Sequence, residues 1–278
     1  GKLGIGSSGG GGNVLNNVIG LGGEGTLCTL IGSDDAGEWL RKEIEKKKAR
    51  LDGLIIESDR PTTKKTRIIA HQQQVVRFDH EKKGAISSKT EKKLLDYLLD
   101  QLARTDCLAI SDYAKGVLSN KLLSVILPAA LDRGIPVVVD PKVGHFSLYK
   151  KVTLVTPNNL EASQASGIEI VDEESLLIAG KKLLGQLECE SILITRGEHG
   201  MSLFEKGGTV THIPTVARAV YDVTGAGDTV LSTLALSLAA GLPLLAGAKL
   251  ANIAAGIVVG IVGTAAIERE MLHAAVSS

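Results

Sequence analysis

Aromatic side chains are scarce in this chain: one tryptophan, four tyrosines and three phenylalanines among 278 residues. Its core must then be packed from Leu, Ile, Val and Ala, the composition of buried parallel sheets. Cysteine is scarce too. Cys28, Cys107 and Cys189 are odd in number, widely spaced and without a Cys-x-x-Cys pair. That argues against a disulfide framework or a zinc site and suits a reducing cytoplasm. Excess charge is missing: 31 basic residues balance 31 acidic ones. No field of one sign is available to hold a nucleic acid, so a phosphate-bearing ligand must be held by local groups. No basic-then-apolar leader opens the chain, whose first residues are mostly Gly and Ser. An unbroken apolar run of membrane-spanning length is also lacking. Residues 230–263 come nearest, but Pro243, Lys249, Asn252 and several glycines interrupt them, which predicts two buried helices rather than a membrane hairpin.

What is present is an apolar fraction of 44% against 22% charged residues, enough for one substantial α/β domain over residues 1–278. The order of patterns is regular. A glycine cluster at 9–12 precedes an apolar helix over 14–21 and a strand over 26–31. Gly32-Ser-Asp-Asp35 breaks the chain and caps a helix over 36–48. Two β-rich runs at 64–71 and 74–79, with a polar turn between them, predict an antiparallel flap spanning about 62–81. From there strands at 107–111, 137–139, 153–156 and 191–195 alternate with helical stretches, the rhythm of βαβ units and a mostly parallel sheet. Asp112, Asp140, Asn158, Glu161, Arg196 and Gly197 all follow the ends of those strands. In open α/β sheets that edge is where ligands bind.

The strongest single motif is Asp222-Val-Thr-Gly-Ala-Gly-Asp-Thr229. Gly225, Ala226 and Gly227 let the backbone turn tightly against a ligand, and a long small-and-apolar helix follows at once. Its unpaired first N–H groups would face a phosphoryl group and its developing charge. Asp228, in the first turn, is placed to accept a proton from an attacking hydroxyl. Taken alone, the motif could equally be a loop closed by an Asp cap.

It does not stand alone. The octapeptide resembles the C-terminal signature of the carbohydrate kinases grouped with ribokinase and the minor phosphofructokinase. The glycines Gly10, Gly11 and Gly12 with Asn13 are similar to that family's N-terminal sugar-holding element. Asn158-Asn-Leu-Glu161 is similar to its Asn-x-x-Glu motif, and Thr195-Arg196-Gly197 to its turn beside ATP. Within the family, Ser111-Asp-Tyr-Ala-Lys-Gly116, Asp140-Pro-Lys142, the run 71–81 and the run 195–203 look like the D-glycero-β-D-manno-heptose-7-phosphate kinases.

The resemblance implies a ribokinase-like fold, with a mostly parallel central sheet flanked by helices and a small β lid; the free strand surface of that flap could pair with a second copy, which predicts a homodimer through the lid. It implies ATP and Mg²⁺ as cofactors and a sugar phosphate as substrate, with no membrane or nucleic-acid partner. The reaction it implies is phosphorylation of O1 of heptose 7-phosphate, in the cytoplasm, on the way to ADP-heptose and lipopolysaccharide. By the same resemblance Asp228 is the base, and the backbone of Gly225, Ala226 and Gly227 is the anion hole. Asn158, Glu161 (through water to the metal), Thr195, Arg196 and Gly197 serve the nucleotide.

The sugar side then comprises Gly10–Asn13, Arg77, Asp112, Lys115, Asp140 and Lys142, the three cations suiting a substrate phosphate. Asp112 and Asp140 either bind sugar hydroxyls or partner a nearby lysine. Asn252 either faces the adenine or is a satisfied buried amide. Two departures stand out: neither the family's opening strand with its Asp-bearing sugar motif nor a following nucleotidyltransferase half is among these residues. Rival readings are another sugar or nucleoside kinase of the same fold, a catalytically silent nucleotide-binding chain, and a small membrane protein built on 230–263.

Overall fold

The computed structural model describes residues 10–70, 73–217, 220–261, 263 and 265–277. Gly9, the opening residues before it and His71 therefore lie outside the described residues.

In chain order the elements are α1 (Gly11–Gly20), β1 (Thr29–Ile31), α2 (Asp35–Lys46), β2 (Leu54–Ile56), β3 (Lys64–Ala70), β4 (Gln73–His80), α3 (Ser88–Leu102), β5 (Leu108–Ser111), α4 (Asn120–Leu131), β6 (Val137–Asp140), β7 (Leu154–Val155), α5 (Asn159–Ser166), α6 (Glu173–Leu187), β8 (Ser191–Thr195), β9 (Met201–Glu205), β10 (Val210–Ile213), α7 (Ala226–Ala239), α8 (Leu244–Val258) and α9 (Arg269–Ser277). Polar side chains close the helix starts the sequence marks. Asp34 accepts from the Gly37 N–H at 2.9 Å and Ser87 from Thr90 N–H at 3.2 Å.

The main sheet runs β10-β9-β8-β7-β6-β5. Its β5 to β8 pairings are parallel, while β9 and β10 add antiparallel at one edge. The flanking layers follow from strand periodicity. In β6, Val137 and Val139 join the core under α3, α4 and α6, while Val138 joins the core under α1, α7 and α8. In β8, Ile192 and Ile194 take the first side and Leu193 the second. An uninterrupted Val-Val-Val run is what a strand buried on both faces requires.

The interrupted apolar stretch 230–263 forms α7 and α8 packed together, as predicted. A Cβ added at Gly247 would stand 2.9 Å from Ser237 Cβ, so the small residues there set how closely the two helices approach. Among the described residues no helix is long and apolar enough to cross a membrane.

Three features differ from the sequence expectations. The strand expected over 26–31 is shorter, Thr29–Ile31, and pairs with β2 in a separate parallel sheet. The β9–β10 hairpin went unpredicted, although Gly207-Gly208 between two apolar runs is a hairpin signal. Finally, among the described residues β5 pairs only with β6, and β1 and β2 stand outside the main sheet. Residues of β1 and β5 line one cavity of about 2290 Å³, which also reaches Gly10, Tyr113 and Asp228. The flap, β3 paired antiparallel with β4, forms where predicted.

Candidate active site

Asp228 is the third residue of α7 and is buried. The helix begins at Gly225, whose φ of 87° is a left-handed conformation natural to glycine, and no side chain caps it. The Ala226 N–H is taken by the Val223 carbonyl at 3.2 Å. That narrows the expected anion hole, because among the described residues no carbonyl or side chain takes the N–H of Gly227 or Asp228. These two are the donors left to face an anion. The motif is held from behind. Tyr221 N–H donates to the Val259 carbonyl at 2.8 Å, and Asp222 accepts from Thr224 N–H at 2.9 Å.

Two donors hold the Asp228 carboxylate. Asn13 Nδ2 donates to Oδ2 at 2.9 Å and the Tyr113 hydroxyl to Oδ1 at 3.0 Å. Burial pushes the Asp228 carboxyl up, and the Asn13 and Tyr113 hydrogen bonds and the charge of Lys65 draw it back. A buried carboxylate with its proton affinity raised in this way is suited to take a proton from a hydroxyl.

Asn13 reaches Asp228 because α1 packs on α7. Ser232 Oγ donates to the Val14 carbonyl at 3.1 Å. Asn17, one turn after Asn13, donates to the Asn13 carbonyl at 3.0 Å and accepts from Ile267 N–H at 2.8 Å. Asn17 was not singled out from the sequence, though an Asn repeated at i, i+4 in an apolar helix was the available sign. Gly10 has φ 56°, and a Cβ there would stand 3.1 Å from Tyr113 Cε2, so the glycine makes room for that ring. Gly11 and Gly12 open α1 beside it.

A second pocket, of about 180 Å³, adjoins Gly227 and is lined by Asp140, Lys142, Asn158, Glu161 and Thr195. Asn158 and Glu161 form a reciprocal cap on α5, with Oδ1 accepting from Glu161 N–H at 2.9 Å and Oε2 from Asn158 N–H at 3.2 Å. Lys142 Nζ donates to the other Glu161 oxygen. Burial and the neighbouring Glu161 charge push the Asp140 carboxyl up to about 7, against the pull of Lys142. Below that pH it sheds one negative charge from the pocket wall. Thr195, at the end of β8, bridges to Asn158. Arg196 donates to Ser202 Oγ at 3.2 Å and pairs with Glu173 at 3.6 Å, beside the turn at Gly197.

The other residues expected on the sugar side take these places, with Asp112 and Lys115 lining the cavity that reaches Gly10, Tyr113 and Asp228. Asp112 is almost wholly buried. Its carboxylate accepts from the Tyr149 hydroxyl at 2.7 Å and from Ala114 N–H at 2.7 Å, and lies 2.8 Å from His145 Nδ1. These partners, rather than a lysine, hold it at the wall of the large cavity. It braces the loop that carries Tyr113. Lys142 and Asp140, expected on the sugar side, line the pocket of Asn158 and Glu161. Asn252 is buried with its amide on the Pro214 carbonyl at 2.7 Å, the satisfied-amide alternative. Lys115 pairs with Glu81 at 2.6 Å and Arg77 with Asp79 at 2.5 Å, both cations at the flap.

The structure adds Tyr113, Lys65 and Arg60 to the site. Lys65 Nζ lies 5.4 Å over the Tyr113 ring. Buried Arg60 donates to the carbonyls of Lys82 at 2.7 Å, Lys115 at 2.9 Å and Gly84 at 2.6 Å, tying the flap base to the Tyr113 loop.

Residues 4–270 match the pfkB family carbohydrate kinase pattern. Among curated relatives, the bifunctional protein HldE of Citrifermentans bemidjiense is 48% identical over 268 residues, covering 96% of this chain and 55% of the relative. That of Geobacter sulfurreducens is 46% identical over 259 residues, 93% of this chain and 53% of the relative. The chain spans about half the length of these relatives. Among solved structures, phosphofructokinase-2 from Escherichia coli with substrates and products superposes with a TM-score of 0.79 at 18% identity, over 96% of this chain and 86% of that one. Ribokinase from Thermotoga maritima gives 0.77 at 22% identity, with 96% and 86% covered. These two likenesses carry the ribokinase-like α/β fold, and the family match joins it to the buried Asp228 at the start of α7. This chain belongs to the pfkB family of carbohydrate kinases.

Proposed function

We propose that the chain transfers the γ-phosphoryl group of ATP to the anomeric O1 of D-glycero-D-manno-heptose 7-phosphate, giving the 1,7-bisphosphate. The observation that carries the reaction class is Asp228, held by Asn13 and Tyr113 at a helix start with the Gly227 and Asp228 N–H groups unclaimed. Asp228 takes the proton of the attacking hydroxyl, and the two N–H groups stabilise the charge on the transferring phosphoryl oxygens. The heptose is supported by the runs 111–116, 140–142, 71–81 and 195–203 and by the identity to the HldE proteins. Lys65, Arg77 and Lys115 are cations within reach of a substrate phosphate at the flap.

Among the described residues no cluster of three or more His, Cys, Asp or Glu forms a metal cage. The donor set of Asp140 and Glu161 instead fits a Mg²⁺ that keeps its waters and arrives with the nucleotide, held through water by Glu161. When bound, that ion offsets phosphate charge. Lys142 is the protein's own cation beside the same phosphates.

A homodimer through the flap is part of the proposal. Thr66 pairs with Phe78 and Ile68 with Val76, which puts these four on one face, with Phe78 57% and Ile68 47% exposed. Two such apolar faces would bury each other, and a monomeric mass in light scattering would refute this. ATP use and three free cysteines suit a cytoplasmic setting in lipopolysaccharide precursor synthesis.

The test is ADP release with D-glycero-D-manno-heptose 7-phosphate beside fructose 6-phosphate and ribose. Preference for the heptose phosphate by at least about a hundredfold in kcat/KM is expected, because a bound phosphate contributes several charge-assisted hydrogen bonds. Equal use of fructose 6-phosphate would move the substrate to another sugar, and ATP binding without turnover would leave a silent nucleotide-binding chain.

A further inference from the structure

The Asp228 carboxylate carries one hydrogen bond on each oxygen, from donors of different character. Asn13 lies on buried α1, 1% exposed and braced by Asn17, so its bond to Oδ2 is part of the packed interior. Tyr113 stands on a loop that lines the large cavity, so its bond to Oδ1 is on the side a substrate enters. Burial and the charges of Asp228 and Asp140 push the Tyr113 phenol up, so at neutral pH it is the donor in that bond.

The loop is built to aim Tyr113. Asp112 before it is anchored by Tyr149, His145 and Ala114 N–H, and Ala114 after it is held at φ 51°, a strained conformation for a residue with a Cβ. The next residue, Lys115, is tied to the flap base by Glu81 and Arg60, and Lys65 of the flap strand β3 lies over the ring itself. With Oδ2 turned to Asn13, a hydroxyl entering from the cavity meets Oδ1, where Tyr113 already donates and crowds the approach.

We propose that Tyr113 is a latch on the catalytic base: its hydroxyl occupies Asp228 Oδ1, and the hydroxyl of a bound sugar displaces it. This inference rests on Asp228 being the base. The reaction it suppresses is transfer to water. A water oxygen bonds to the γ-phosphorus, the bond from that phosphorus to the β–γ bridging oxygen breaks, the water proton passes to Asp228, and ADP and phosphate leave. Tyr113 is a positioning residue that acts through Asp228 and takes no part in the bond changes.

The experiment uses the full chain with Tyr113→Phe, which removes one oxygen and leaves the ring over Gly10. Sugar-independent ADP release is expected to rise about tenfold, the scale of one lost hydrogen bond to a charged group. The titratable groups facing Asp228 are Tyr113, Lys65 of β3 and Asp140 of β6. Loss of the Tyr113 donor removes an interaction that lowers the Asp228 pKa, so the acid limb of kcat/KM shifts to higher pH. The double variant with Asp228→Asn must abolish the extra hydrolysis.

Unchanged hydrolysis with an unmoved acid limb overturns the latch, as does extra hydrolysis that survives in the double variant. Asp228→Asn alone separates the two ideas: if that single variant keeps its sugar turnover, the base assignment has failed rather than the latch. A structure with sugar bound gives a second check that does not depend on the variant. There the Tyr113–Asp228 bond of 3.0 Å should be open, and finding it intact beside a bound sugar hydroxyl overturns the proposal.

Discussion

Asp228→Asn is expected to lower kcat for sugar phosphorylation about a thousandfold, within the range general-base catalysis contributes, while KM for both substrates changes little. The amide keeps the size and planarity of the carboxylate but cannot accept a proton. Its effect on the fold is bounded by the same two contacts that define the site. Asn13 Nδ2 and the Tyr113 hydroxyl both donate to Asp228, and an amide offers one oxygen to two donors. Asn13 can keep that oxygen while the Tyr113 hydroxyl turns to accept from the new amide N–H, so the fold is retained and the melting temperature should fall by a few degrees at most. Steady-state kinetics beside thermal unfolding separate the two effects. Wild-type turnover in the folded variant would remove Asp228 from its role.

The second large effect is expected at Gly225. Its φ of 87° lies where a Cβ is strained, and alanine there costs about 1–3 kcal/mol. The chain can relieve that strain only by rotating the turn that opens α7. Rotation displaces the N–H groups of Gly227 and Asp228 from the position a phosphoryl oxygen would take. Losing one such preorganised donor lowers kcat about a hundredfold or more, so Gly225→Ala should show that loss with sugar KM largely preserved. Gly241 is the control. It also has a left-handed φ, 74°, and open space around a Cβ, but it lies at the α7–α8 turn. Gly241→Ala should lose comparable stability and keep its kcat. Equal kcat in the two variants would show that the anion hole does not depend on the Gly225 turn.

Much of the frame is readable without coordinates because it is local. The Val-Val-Val run of β6, the cap residue Asp34, and the broken apolar stretch of α7 and α8 each act within a few neighbours, and all take the predicted form. The Asn158–Glu161 cap is of the same kind, since both partners lie in one turn. What local pattern does not supply is the distant partner. Asp112 reads as a ligand contact because it follows a strand, but Tyr149 and His145, more than thirty residues on, claim it first. Lys142 reads as a sugar-phosphate cation, but β6 and the start of α5 lie side by side and bring it to Glu161.

The residues by themselves determined the α/β rhythm, the flap, and the helix start that carries Asp228, because propensity, periodicity and capping operate over a turn or a strand. Only the tertiary structure decided what surrounds that carboxylate. Asn13 is 215 positions away and Tyr113 is 115, and no local pattern couples such positions. They meet because burying the apolar faces of α1 and α7 against the sheet leaves one arrangement in which the polar groups between them are all paired.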